Sequence, residues 1–315
     1  MSSKKRSRRL PLQGLIRCAP LTAVALLSPD VRGQEAIRVG WDQERSYLQR
    51  NGPTAFKDGA HHAGPVTYDV VATYGLEWRD NVLTTQTNRL SDFIHRPQID
   101  FRIQWQVSQD SSLHAGVGLG YYKYDRYTSN DRFFIAPNSE IAWDLRMKDL
   151  LVTLYDEAKY AQDVISQSTL TGVSSFPRLD NTVGVRASWT PGAYLAEFLY
   201  GHETFSARSS QFTYLNHSAE HLVGRLGYFV APQSSVGVET SGSFTSYSQQ
   251  IQQDNNSFSI GPYVDLQLTH AIRLNLRGGY VDYSLDPGPV AGPGSNLDGY
   301  YAHAEINHAL TEHIV

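Results

Sequence analysis

"IDFRIQWQV", residues Ile99–Val107, changes character at every position: Ile99, Phe101, Ile103, Trp105 and Val107 share one parity, and Asp100, Arg102, Gln104 and Gln106 the other. In an extended chain successive side chains point to opposite sides, so this stretch is a strand with one oily and one wet face. Two architectures fit it locally. A soluble sandwich turns the oily face to a core, whereas a membrane barrel turns it to lipid and the wet face to a lumen.

The same alternation recurs along the chain. Val66, Tyr68, Val70, Ala72, Tyr74, Leu76 and Trp78 share a face, as do Leu113, Ala115, Val117, Leu119 and Tyr121, opposite His114 and glycines 116, 118 and 120. Later examples are Val183/Val185/Ala187/Trp189, Tyr194/Ala196/Phe198/Tyr200, Val264/Leu266/Leu268, Ile272/Leu274/Leu276 and Tyr300/Ala302/Ala304/Ile306. Short turn signals at Gln109-Asp-Ser, Lys148-Asp149, Pro191-Gly192, Pro232-Gln-Ser, His270-Ala271 and Leu310-Thr-Glu recur about every forty residues, the length of one hairpin and its loop. Between them lie longer polar connections at 79–92, 126–131, 161–178, 207–216, 248–256 and 285–297. Short turns alternating with long loops are the pattern of an up-and-down barrel with turns in the periplasm and loops outside.

Strand length separates the two architectures. Soluble strands average five or six residues, and these reach the roughly 9 to 11 needed to cross a bilayer at a tilt. Trp78, Tyr121, Trp143, Trp189, Tyr194, Tyr228 and Tyr280 sit near strand ends on the oily parity, suiting interfacial girdles. A β-propeller shares the forty-residue period, but its strands are short and no blade motif repeats here. The expected fold is therefore all-β, an antiparallel up-and-down transmembrane β-barrel of about twelve strands or more over residues 66–315.

The first 33 residues have the layout of a secretory signal: Lys4, Lys5, Arg6, Arg8 and Arg9, then an apolar run through Leu27, then Val31 and Gly33 before a cut. Arg17 interrupts a run already too short to span a membrane as a helix, and Pro11 spoils the twin-arginine pattern at Arg8-Arg9. Cys18, the sole cysteine, lies in this segment behind Arg17, which excludes a lipoprotein signal and leaves the exported part without disulfides. Of 27 basic residues seven are removed with it, leaving 20, and of 31 acidic residues one, leaving 30. An acidic exported chain argues against nucleic acid as a partner. Residues 34–65, with Gly52-Pro53 and Gly64-Pro65, read as a periplasmic linker.

The stretch "YGLEWRDNVL", Tyr74–Leu83, with "GVRASWTPG" and "GPYVDLQLT" further on, resembles the outer-membrane β-barrel porin 2 family. The resemblance covers about residues 66–315 and implies an outer-membrane location, lipid contact, the barrel-assembly machinery as a partner and no established catalytic residues. Some members are associated with exopolysaccharide production or export. About twelve strands and the start of another at Glu312-His-Ile-Val315 are countable, and the chain ends in Val315 where such barrels usually end in an aromatic. The expectation is either closure at twelve strands with a short tail or continuation beyond Val315.

Candidate chemistry is sparse. Gly116-Val-Gly-Leu-Gly120 lacks the dinucleotide-loop spacing and no helix pattern follows. His61-His62 has no third ligand nearby, and no Ser-His-acid set stands out, so neither a metal, a cofactor nor catalysis is expected. The wet-parity charges are the site candidates: Asp69, Glu77, Asp100, Arg102, Glu140, Asp144, Arg146, Arg186, Glu197, Arg225, Glu239, Asp265, Arg273, Arg277 and Glu305. Their expected role is to pair across strands and line a lumen without sharp ion selectivity. A porin-like channel for small polar solutes or secreted polysaccharide is the leading function, with a closed structural or adhesive barrel second and a barrel hydrolase third.

Overall fold

A computed structural model of the chain describes residues 60–82, 89–137, 139–161, 164–165, 174–288 and 292–308. The expected signal, most of the linker and the final turn at Leu310 lie outside these residues. Three strands open the sheet: β1 (His61–Ala63), β2 (Val66–Arg79) and β3 (Asp92–Ser108). There follow β4 (Ser111–Tyr124), β5 (Arg132–Ile135), β6 (Glu140–Met147) and β7 (Leu150–Ala161), then a small ribbon of β8 (Val164–Ile165) and β9 (Ser174–Ser175). The second half comprises β10 (Arg178–Trp189), β11 (Tyr194–Ala207), β12 (His217–Ala231), β13 (Ser234–Tyr247), β14 (Asn255–Gln267), β15 (Ile272–Leu285) and β16 (Ser295–His308).

Except for the ribbon, all strands join one antiparallel sheet of 14 in chain order, each long strand hydrogen-bonded to its sequence neighbours. β1 is a three-residue stub paired to β2 across the turn at Gly64-Pro65, so the sheet starts inside the stretch expected to be linker. β5 and β6 share one place between β4 and β7, which leaves twelve full-length positions among the 14 strands. The outermost full-length strands, β2 with the stub β1 at its edge and β16, share no ladder among the described residues.

One end of the sheet carries short turns, such as Gln109-Asp110 between β3 and β4, Lys148-Asp149 between β6 and β7, and Pro232-Gln233 between β12 and β13. Lys148 and Gln233 take left-handed backbone (φ 52° and 63°), each supplying the one positive-φ residue of its two-residue turn, at the first position in Lys148-Asp149 and at the second, after proline, in Pro232-Gln233. The long connections all gather at the opposite end, because in a meander of crossing strands every second connection emerges on the same side.

The two faces of the sheet reverse the polarity of a soluble protein. On one face Ile99, Trp105, Leu226 and Tyr194 are 56%, 43%, 68% and 64% exposed; on the other Asp69, Glu239 and Asp265 are 7%, 8% and 5% exposed. A polar face becomes this buried only if the sheet curls around it, so the polar side is concave and the apolar side convex. Phe258, Ile260, Pro262, Val264 and Leu266 of β14, with Leu268 just after it, form an unbroken outer stripe. Ten residues at about 3.4 Å each, tilted about 40°, give about 26 Å of height, close to the ~25 Å apolar band of a membrane barrel.

Aromatic side chains edge this band. Near the turn end Trp105, Trp143, Trp189, Tyr194 and Tyr228 are exposed on the convex face, and Tyr194 meets Tyr228 edge to face at 5.6 Å. Near the loop end Tyr74, Trp78, Phe93, Tyr121 and Phe133 form the counterpart. Beyond them the convex face turns polar: Asn181 donates to Asp156 at 2.6 Å, and Glu220 accepts from the Tyr200 hydroxyl at 2.6 Å beside His202 at 2.7 Å.

Candidate functional site: the polar inner face

The concave face is held by ion pairs that the ladder register makes possible. Glu197 and Arg225 are cross-strand partners, and so are Arg225 and Glu239, which puts opposite charges side by side on one face. The chain of contacts runs Arg186–Glu197 at 3.3 Å, Arg225–Glu197 at 3.4 Å, Arg225–Glu239 at 2.6 Å and Arg277–Glu239 at 2.9 Å. Asp265 lies 3.7 Å from Arg225 and 4.0 Å from Arg277. Three arginines and three carboxylates from β10 to β15 thus form one neutral network across six consecutive strands. The Arg225 guanidinium also rests over the Tyr263 ring, 4.5 Å from its centre, a cation–π contact worth about 0.5–2 kcal/mol.

Glycines let this layer lie flat against the wall. A Cβ on Gly227 would overlap the Tyr263 hydroxyl, one on Gly184 the Tyr155 ring, and one on Gly120 the Phe134 ring. Each glycine is the floor on which an inward aromatic ring is laid.

The remaining charged candidates spread over the same face. Asp69, on β2, accepts from Arg102 Nε at 2.8 Å and from its Nη2. Glu77 meets Arg79 at 2.6 Å and Arg96 at 3.6 Å. Asp100 accepts from Gln98 at 2.7 Å, and Glu305 lies 3.6 Å from His303 and accepts from Asn307 at 3.1 Å. Glu140 stands opposite Glu157 in register, and Arg146 and Arg273 are exposed toward the turn end. The candidates therefore form several pairs and one large network, not one cluster.

Two groupings were not legible in the sequence. At the turn end a cavity of about 600 Å³ is lined by Gln104, Gln106, Asp110, Ser112, His114 and Asp144 among others. It brings together a serine, a histidine and an aspartate, with Ser112 Oγ 3.0 Å and Asp144 Oδ2 3.0 Å from His114. Both contacts fall on Nε2, while Nδ1 is buried with no hydrogen-bond partner. A relay needs the nucleophile on one ring nitrogen and the acid on the other, so this set is not arranged as a catalytic triad. Thr153 donates to the other Asp144 oxygen at 2.6 Å, tying the group into the wall.

The second grouping is apolar. The 3-10 helix Ser210–Leu215, between β11 and β12, buries Leu215 completely against Phe176, Phe205 and Ala207. Phe212 stacks on Phe176 at 4.3 Å, and Phe205 and Ala207 belong to the inward parity of β11, so this loop folds over the inner face. Beside it His221 meets Glu203 at 2.9 Å, with His217 at 3.8 Å from the same carboxylate. Across the mouth Val82, Ile94 and Tyr124 form a second small core with Leu90, Tyr122 and Tyr127. Loops packed inward at one mouth, a charged wall below them and an apolar belt outside define the class: an up-and-down β-barrel protein, inside-out with respect to a soluble fold.

No protein-family profile matches the chain, the β-barrel porin 2 family included, and no curated protein matches it. Among solved structures it is similar to the in-vitro folded outer membrane protein OmpT of Vibrio cholerae at 9% identity, covering 80% of this chain and 100% of that one with a TM-score of 0.41. It is also similar to Salmonella typhi OmpF in complex with daunomycin, at 9% identity, 79% and 100% coverage and a TM-score of 0.29. A third is the outer membrane protease OmpT of Escherichia coli, at 10% identity, 82% and 99% coverage and a TM-score of 0.18. With TM-scores below 0.5, none of these likenesses bears on what the chain does.

Proposed function

We propose that the chain is an outer-membrane β-barrel that conducts small polar solutes. One observation carries the reading: the convex face exposes a continuous apolar belt of membrane height, while the concave face holds the charges. In water that arrangement would leave more apolar surface than a soluble monomer carries. In hydrocarbon the outer edges of β2 and β16 must also be paired, with each other or through further strands, since each unsatisfied backbone group costs several kcal/mol there.

The wall chemistry supports a polar pathway without strong charge preference, because the large inner network is neutral and its charges are spent on one another. The reading calls for no catalytic residues, and it is supported by the Ser112–His114–Asp144 set, in which Ser112 and Asp144 compete for one nitrogen of His114. A closed structural barrel is the second reading, favoured by the inward-packed Leu215. Conductance of the refolded protein in planar bilayers separates them: discrete open-channel steps support the channel, and a silent, correctly folded protein supports the closed barrel.

A further inference from the structure

The cavity at the loop end of the first strands differs in chemistry from the rest of the wall. It measures about 250 Å³, and its lining includes Arg79, Arg96, Lys159, Gln98, Tyr122 and Phe134. At about 30 Å³ per water this is room for roughly eight waters, below the range of drug-sized ligands, so it suits a single ring.

Its floor is built rather than accidental. Phe134 is 3% exposed and lies on Gly120, where any side chain would collide with the ring. Tyr122 packs on Phe134 with ring centres 4.5 Å apart, and the Arg96 guanidinium sits 5.3 Å over Tyr122. The third glycine of Gly116-Val-Gly-Leu-Gly120 thus serves to seat an aromatic platform and not to cradle a phosphate.

The walls carry three cations, Arg79, Arg96 and Lys159, and no carboxylate. The acidic groups that offset them are on the same inner face: Glu77 bridges Arg79 and Arg96, and Asp180 is the cross-strand partner of Lys159, so three cations meet two carboxylates and the site keeps a net positive charge. Arg79 spends its Nε and Nη2 on Glu77 at 3.0 and 2.6 Å, so Arg96, 3.6 Å from the same carboxylate, is the arginine whose planar donor fork can turn to grip a ligand carboxylate, and Gln98, whose amide nitrogen donates to Asp100, adds its carbonyl oxygen for a hydroxyl. An aromatic floor under cationic walls recognises an anion attached to a ring with an apolar face.

The geometry points to a binding site for a ring-bearing carboxylate of sugar size, of which a uronic acid is the type, either free or as one residue of an acidic polymer. The proposal rests on the channel reading, because this cavity opens at the loop mouth through which solute would pass. It names the solute class that this mouth selects.

The test is calorimetric titration of the refolded full chain in detergent with sodium glucuronate, with glucose and with a short polyuronate. Glucuronate should bind at least tenfold more tightly than glucose. Arg96→Gln and Lys159→Met should each weaken glucuronate at least tenfold, and Phe134→Leu should weaken it with the fold retained, as read by heat-modifiable gel migration. A polyuronate binding tenfold better than the monomer identifies a polymer as the source, and equal affinity identifies the free acid. Equal affinity for glucose and glucuronate, or parental affinity in Arg96→Gln and Lys159→Met, overturns the site. Bilayer conductance on the same preparation keeps the two ideas apart: binding without current overturns only the channel, and current without binding overturns only the pocket.

Discussion

Phe101 is the sharpest place to ask which face of the sheet meets lipid. It sits mid-strand in β3, between Val70 on β2 and Val117 on β4, all three on the convex side. Its 44% exposure, on a side chain of about 200 Å², leaves roughly 90 Å² in contact with the surroundings, worth about 2 kcal/mol if those surroundings are hydrocarbon. Placing an arginine near the bilayer midplane costs about 2–4 kcal/mol more. Phe101→Arg should therefore destabilise the protein in phospholipid vesicles by about 4–6 kcal/mol. With a urea slope near 2 kcal/mol/M, the unfolding midpoint should fall by about 2–3 M. Gln104→Arg, three residues on and facing inward, should stay within about 1 kcal/mol of the parent. Tryptophan fluorescence against urea reads both. If Phe101→Arg unfolds with the parent, the convex face lies in water and the barrel reading falls.

Three further outcomes follow from the interior. Arg225→Met removes the cation shared by Glu197, Glu239 and Asp265, and should cost about 3–5 kcal/mol in the same titration, whereas a shift under 1 kcal/mol would mean that solvent screens the network. Gly261→Ala would drive a Cβ into the backbone of Gly278 and Gly279 and should cost at least about 1–3 kcal/mol, while Gly242→Ala meets its nearest atom at an ordinary 3.5 Å and should be nearly silent. Equal stability of the two alanine variants would contradict the packing described. Leu215→Asp places a charge in the apolar cluster at the loop mouth and should raise single-channel conductance by lifting that loop, and an unchanged step size would show that the loop does not narrow the path.

Much of the architecture was legible in the sequence because a barrel strand records its two environments residue by residue. "IDFRIQWQV" is the example: Ile99, Phe101, Trp105 and Val107 are exposed on the convex face, and Arg102 reaches Asp69 on the other. Turn signals at Gln109, Lys148, Pro191, Pro232 and His270 mark the observed turn end, since tight hairpins restrict which residues can occupy them. What escaped depends on register and on loops folding back. Parity places His114 and Asp144 on the inner face, but only the pairing of β4 with β6 puts them 3.0 Å apart. The strand β1, the division of β5 from β6, and Leu215 packing on Phe205 arise in connections too short or too irregular to show a period of two. Gly120 was visible as part of a glycine pattern, yet its purpose depends on Phe134, fourteen residues later and across a ladder.

The difference in length between the two ends of the sheet also sets a direction. A two-residue turn such as Lys148-Asp149 carries few polar groups through hydrocarbon, whereas a nine-residue connection such as 208–216, with Arg208, Ser209, Ser210, Gln211 and Asn216, must carry many more. Mixed with preformed vesicles and given no assembly factor, the chain should enter turn end first and every molecule should point the same way. Protease added outside would then clip the long connections of the whole population and leave the turns untouched, so a vesicle preparation would behave as an oriented surface on which the pocket beside Arg96 and Phe134 faces the added ligand.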